Sequence, residues 1–133
     1  MLNEKKISKY APNFYLVFRV LIGLMFAIHG AQKFGLIGDG AISGFAGAFG
    51  FPVWLAAIVA LIELVGGIAI LIGFKTRIAA FLGAIVVLVA YLMAHFPTNL
   101  NIIGNGGEAA LLYLVAFLVL MGYGGGKASL SKN

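Results

Sequence analysis

The chain has 133 residues, of which 62% are hydrophobic and only 10% charged, and its mean hydropathy is +1.08. A soluble domain is about 45–50% apolar and about 25% charged, so this chain has too few polar groups to clothe a soluble surface. A soluble domain, a disordered tail and a nucleic-acid binder are excluded despite the net charge of +5, because the cations sort by membrane side instead of gathering on one face.

What remains is a multi-pass membrane protein in contact with the lipid bilayer. A bilayer core about 30 Å thick needs roughly 17–25 apolar residues in a helix. After a basic start at Lys5, Lys6 and Lys9, the first predicted span covers residues 14–31. The basic start resembles a signal peptide, but Arg19 interrupts the apolar run and no small-x-small cleavage site follows, so the helix is read as retained. Residues 35–51 carry Ile42, Phe45 and Phe49 at helical spacing among Gly, Ala and Ser. They predict a short interfacial or re-entrant helix, with an apolar loop over the bundle as the alternative.

The second span, residues 52–74, opens on Pro52 and closes at Gly73, residues suited to a first helical turn and a C-terminal cap. It can reach roughly 34 Å and so crosses the bilayer with tilt. The third span covers residues 78–95, before Pro97. The fourth and shortest, residues 107–123, ends at Gly124-Gly125-Gly126. The predicted fold is an all-α membrane protein, a four-transmembrane-helix bundle forming one domain over residues 1–133. Lys5, Lys6, Lys9, Lys75, Arg77, Lys127 and Lys132 fall on one side and Lys33, near Asp39, on the other. The positive-inside rule then puts both termini in the cytoplasm, with the chain in the cell membrane.

Ionisable groups at membrane depth are costly and tend to mark function. Arg19 lies in the first span near its cytoplasmic end, where snorkelling to the head groups is the plain alternative. His29 and Lys33 share a face near the outer end of that helix, and Lys33 can also snorkel outward. Glu63 stands roughly 16 Å beyond Pro52, near the midplane. Asn105 and Glu108 lie at the outer start of the fourth span, and His95 ends the third. Together they predict an outward-facing polar pocket. The structural alternatives are an ion pair or hydrogen bond at Glu63 that locks helices, a helix-dipole role for Glu108, and an interfacial histidine at His95. Gly23, Ala27 and Gly30 in the first span, Gly66 and Gly67 in the second, and Ala80 and Ala84 in the third read as helix-packing surfaces. The Phe14, Tyr15, Trp54, Tyr91 and Tyr123 aromatics read as interfacial anchors.

These landmarks resemble the DoxX family, small four-helix membrane proteins related to the DoxD subunit of thiosulfate:quinone oxidoreductase. The resemblance rests on Arg19 followed by Gly23-x-x-Phe26, then His29-Gly30-x-x-Lys33 and Glu63-x-x-Gly66-Gly67. It continues through Gly73-x-x-Thr76-Arg77-x-Ala79-Ala80 to Asn105-Gly106-Gly107-Glu108 and Leu112-Tyr113. It implies a redox-associated role beside a partner oxidoreductase, with Arg19, His29, Lys33, Glu63, Asn105 and Glu108 as ligand-binding candidates. His95 lies outside the matched pattern. With no cysteine in the chain, thiol–disulfide chemistry and thiolate metal sites are excluded.

The leading expectation is a protein that binds a quinone between its helices, with Glu63, Glu108 and His29 as candidate proton donors. Electrons would come from a partner oxidoreductase. A non-catalytic scaffold that recruits a partner is the second reading. A small transporter or channel subunit, which would need homo-oligomers to enclose a path, is the third. No metal is expected, although two Glu and two His keep an iron or zinc site as a minor option.

Overall fold

The computed structural model describes residues 3–131; Lys132, one of the cations counted above, lies outside them. The described residues form helices and no strand: α1 (Glu4–Ser8), α2 (Ala11–Lys33), α3 (Ile42–Phe49), α4 (Val53–Ile72), α5 (Thr76–Ala90) and α6 (Glu108–Tyr123). A π-helical turn, Tyr91–His95, continues α5. Three helices, Ala11–Lys33, Val53–Ile72 and Thr76–His95, are long and apolar enough to cross a membrane, and Glu108–Tyr123 is a shorter apolar helix. Their outward faces are apolar. On α4 alone Trp54, Ile58, Leu61, Val65 and Ile68 are exposed, as befits a protein whose solvent is lipid.

In lipid, helices gain little from burying one more leucine and associate through close backbone approach. Here α2 and α4 meet along a seam of small residues. A Cβ added at Gly30 would stand 2.7 Å from the Ala60 carbonyl oxygen, and one at Gly67 would stand 2.7 Å from the Gly23 carbonyl oxygen. Both obstacles are backbone and cannot swing aside. Gly67→Ala is therefore expected to cost about 1–3 kcal/mol of stability. Gly66→Ala should be nearly neutral, since its Cβ would come no nearer than 3.9 Å to anything. Unfolding of the two variants in mixed detergent micelles checks the contrast, and equal midpoints would refute it.

The second seam joins α5 to α6. Gly83 makes room for the Phe117 ring, which a Cβ there would approach to 2.9 Å. Phe117 in turn meets Phe26 of α2 edge-on at 4.8 Å between centroids. Phe26, Ile70, Ala80, Phe117 and Leu120 form the buried centre between the seams.

The boundaries differ from the sequence reading where caps decide them. α2 starts earlier, with Pro12 in its first turn, and runs on to Lys33. Pro52 is the cap preceding α4 instead of its first residue, and Gly73 ends α4 in the left-handed region at φ 70°. The predicted third helix is α-helical only to Ala90. It then widens, with the Phe96 N–H donating to the Tyr91 carbonyl 3.0 Å away and five residues back. Such π turns are rare and concentrate at functional sites.

Candidate functional site

The α2–α4 seam fixes the site. It sets Gly30 against Ala60 and Leu64, so that Lys33 and Glu63, each three residues further along its own helix, face one interior. Side chains lean toward the N-terminus of their helix, which tips the Lys33 stem back into the bundle. There Lys33 Nζ meets Glu63 Oε2 at 2.6 Å, with the side chains 19% and 9% exposed. The inward pair replaces the outward-snorkelling alternative for Lys33. The ammonium also stands 4.8 Å above the centre of the Phe45 ring, within cation–π reach.

This ion pair opens onto a cleft of about 510 Å³ between α3, α4 and α5. Its walls are Phe45, Phe49, Phe51, Leu55, Ile58, Val59 and Ile62 on one side and Ile85, Val86, Val89 and Ala90 on the other. Lys33 and Glu63 are the two polar residues among those lining it. Gly50, at φ 67°, turns the chain at the end of α3. The Phe51 N–H then closes onto the Ala46 carbonyl at 2.8 Å, a cap that needs the left-handed residue. This turn brings Phe51 to stack on Phe49, at 5.6 Å and 24°.

Lys33 and Phe45 also line a second, more polar cavity of about 440 Å³, together with His29, Gln32, Asp39 and Ser43. The loop there folds back so tightly that Gly40 lies against the Gln32 carbonyl. The His29 ring meets the Tyr113 ring edge-on at 5.7 Å, and Tyr113 packs beside Phe117 and Phe26. His29, Lys33 and Glu63 thus come together around one junction between a polar vestibule and an apolar cleft.

The other candidates lie elsewhere. Asn105 locks the connection into α6: its Nδ2 donates to the Asn99 carbonyl at 2.9 Å, and its Oδ1 accepts from the Gly107 N–H at 2.7 Å. Its carbonyl accepts from His95 Nδ1 at 2.9 Å, and its amide reaches the buried Tyr91 hydroxyl at 3.4 Å. Glu108 is exposed in the first turn of α6, where the helix dipole favours a carboxylate. Arg19 is 1% exposed at the opposite end of the bundle. There it donates to the carbonyls of Gly125, Lys127, Ala128 and Leu71. The two-Glu, two-His metal option does not assemble: among the described residues no three His, Asp or Glu side chains gather as metal ligands.

Sequence reasoning did not place Phe45, Phe49, Phe51 or Tyr113 in the site. The helical spacing of Phe45 and Phe49 was the available signal, since aromatics on a short helix beside a lysine can form a ring-lined wall. Tyr113 stands in the Leu112-Tyr113 landmark of the family pattern, but that landmark does not tell which neighbour its ring meets.

Fold and site together define a helical membrane protein with an ion pair set at the edge of an apolar, ring-lined cleft. Residues 14–96 match the DoxX family, and the chain belongs to that family. It is 38% identical over 130 residues to a Haemophilus influenzae protein described as "Uncharacterized protein", covering 96% of this chain and 95% of that one. It is also 38% identical over 101 residues to the Bacillus subtilis protein named "Putative oxidoreductase CatD", covering 76% of this chain and 72% of that one. No solved structure matches the chain.

Proposed function

We propose that this DoxX-family protein binds a quinone in the apolar cleft and works as the membrane subunit of a quinone-linked oxidoreductase, with electrons delivered by a partner protein. The observation that carries this reading is the Lys33–Glu63 pair, set beside a cleft whose other lining residues are apolar. A ligand with a flat apolar ring and a carbonyl at its edge matches both parts. The phenylalanines and α5 side chains would hold the ring away from water, and Lys33 Nζ would donate to the carbonyl oxygen. Reduction of a quinone to a quinol takes two electrons and two protons. Lys33 Nζ would give one proton to the oxygen it meets and be reprotonated through Glu63 or His29, one turn away toward the polar vestibule. The second oxygen would take its proton from water at the open side of the cleft. The name of the Bacillus subtilis relative agrees with a redox role.

In this reading α6 is the fourth span. Its 16 residues cover about 24 Å, with the flanking glycine turns completing the crossing. The bundle then has a short α3 at the outer interface, both termini in the cytoplasm and a place in the plasma membrane. The cations of the α2 start, the α4–α5 turn and the C-terminal segment all sit at one end, as the positive-inside rule requires.

The experiment is purification in mild detergent with mass spectrometry of the extracted lipids. Wild type should carry near-stoichiometric quinone. The variant Lys33→Met/Glu63→Leu should fold yet bind added quinone about 10–100-fold more weakly, the value of a hydrogen bond to a charged group. Folded wild type that neither carries nor binds quinone would overturn the reading in favour of a partner-recruiting scaffold.

A further inference from the structure

At the end of the bundle opposite the Lys33–Glu63 pair, protein groups occupy three cations, Arg19, Arg77 and Lys127. Arg19 is spread over four backbone carbonyls. Arg77 caps α6 at Met121 and Gly122, and Lys127 Nζ donates to Asn13 Oδ1 at 2.7 Å. The Lys75 backbone N–H is held by Ser131 Oγ at 2.8 Å. Its ammonium, by contrast, has no protein partner among the described residues. Among the described residues Lys75 is also one of two non-glycine residues at positive φ, at 47°, in a region that a lysine seldom adopts. A glycine would sit there without strain, so what keeps a lysine in place is its side chain. Retained strain of this kind points toward function.

Lys75 is one of the residues lining a groove between α4 and α5 of about 420 Å³. Lys75 is its one charged lining residue, and the walls include Leu61, Val65, Ala69, Phe74 and Ile78. Gly66 forms part of its floor, with no side chain to fill it. Leu61 and Ala69 stand about 12 Å apart along the α4 axis, most of the about 15 Å depth of one leaflet. A free cation at head-group level, above an apolar trough one leaflet deep, fits an amphiphile with an anionic head and a single chain in the groove.

We propose that the α4–α5 groove is a binding site for an anionic phospholipid, its phosphate on Lys75 and one acyl chain along Gly66. The groove follows the same α4–α5 face as the quinone cleft, with Ile62 lining both, but neither Lys33 nor Glu63 lines it.

Thermal melting and native mass spectrometry of the purified full chain, titrated with phosphatidylglycerol, phosphatidylcholine or soluble glycerol 3-phosphate, test the proposal. Wild type should retain and be stabilised by phosphatidylglycerol above the other two. Lys75→Gly should melt higher than wild type without lipid, because the strain is gone, yet bind phosphatidylglycerol about fivefold more weakly, as for one lysine at a membrane surface. Gly66→Leu, at a position where a Cβ meets nothing nearer than 3.9 Å, should fold and lose the lipid-dependent shift. Equal responses to phosphatidylglycerol and phosphatidylcholine, an undiminished response in Lys75→Gly, or equal stabilisation by glycerol 3-phosphate would each overturn it.

Discussion

Lys33→Met is expected to lower the stability of the folded protein by about 2–4 kcal/mol. Breaking a fully buried ion pair by removing one partner costs about 3–5 kcal/mol, because the remaining charge is stranded out of water. The smaller figure applies because Lys33 keeps 19% of its side chain exposed, which lets solvent share in neutralising Glu63. Pairing the change with Glu63→Leu should restore most of the loss, since a buried ion pair replaced by apolar groups of similar volume is often neutral. The measurement is a double-mutant cycle on unfolding midpoints in micelles. A coupling near zero would show that the pair contributes nothing to the fold. Restored stability with lost quinone binding, in the same double variant, would separate the structural role of the pair from its ligand role.

That separation matters because the pair sits on a seam that would hold without it. Gly23, Ala27 and Gly30 already lock α2 to α4 through backbone contact, so the fold does not require a charge at this depth. A charge pair kept where small residues suffice is better explained by what it faces, the cleft lined by Phe45, Phe49 and Phe51.

Much of this was legible in the amino-acid sequence, for reasons that can be named. Long apolar runs, Pro52, Gly73 and the triple glycine after Tyr123 mark helices through local chemistry alone. Glu63 and Lys33 stand out because charge is scarce in lipid. Their pairing was open, since spacing within one helix says nothing about which neighbour it meets. The widening of α5 at Tyr91–His95 left no composition signal, because a π turn is a tertiary accommodation: it lets Tyr91 and His95 both reach Asn105. Arg19 was weighed for ligand binding because an arginine inside a span is unusual. Its acceptors are carbonyls more than a hundred residues away or on another helix, and carbonyls are invisible to residue-type reasoning.

Arg19→Leu should cost about 3–5 kcal/mol and release the C-terminal segment from the bundle. The guanidinium is buried, has no carboxylate partner among the described residues, and is balanced by carbonyl dipoles instead. One of these is the Leu71 carbonyl, in the last turn of α4, where the helix dipole favours a cation. Removing it leaves the Gly125 and Leu71 carbonyls without a donor, while those of the exposed Lys127 and Ala128 can turn to water, and each hydrogen bond to a charged group is worth about 1.5–3 kcal/mol. The segment would keep the Tyr15 hydroxyl bond to the Gly124 carbonyl at 2.6 Å and the backbone bonds from Leu130 and Ser131 to Ile72 and Gly73. Partial rather than complete release follows, read as faster amide exchange at residues 125–129 and earlier proteolysis after Lys127. Arg19→Lys is the sharper test. It retains the charge but replaces a planar fork of donors with a compact ammonium, which cannot reach carbonyls on both sides at once. It should recover less than half of the lost stability, whereas a lysine variant equal to wild type would mean that charge alone, and not the fork, holds the segment in place.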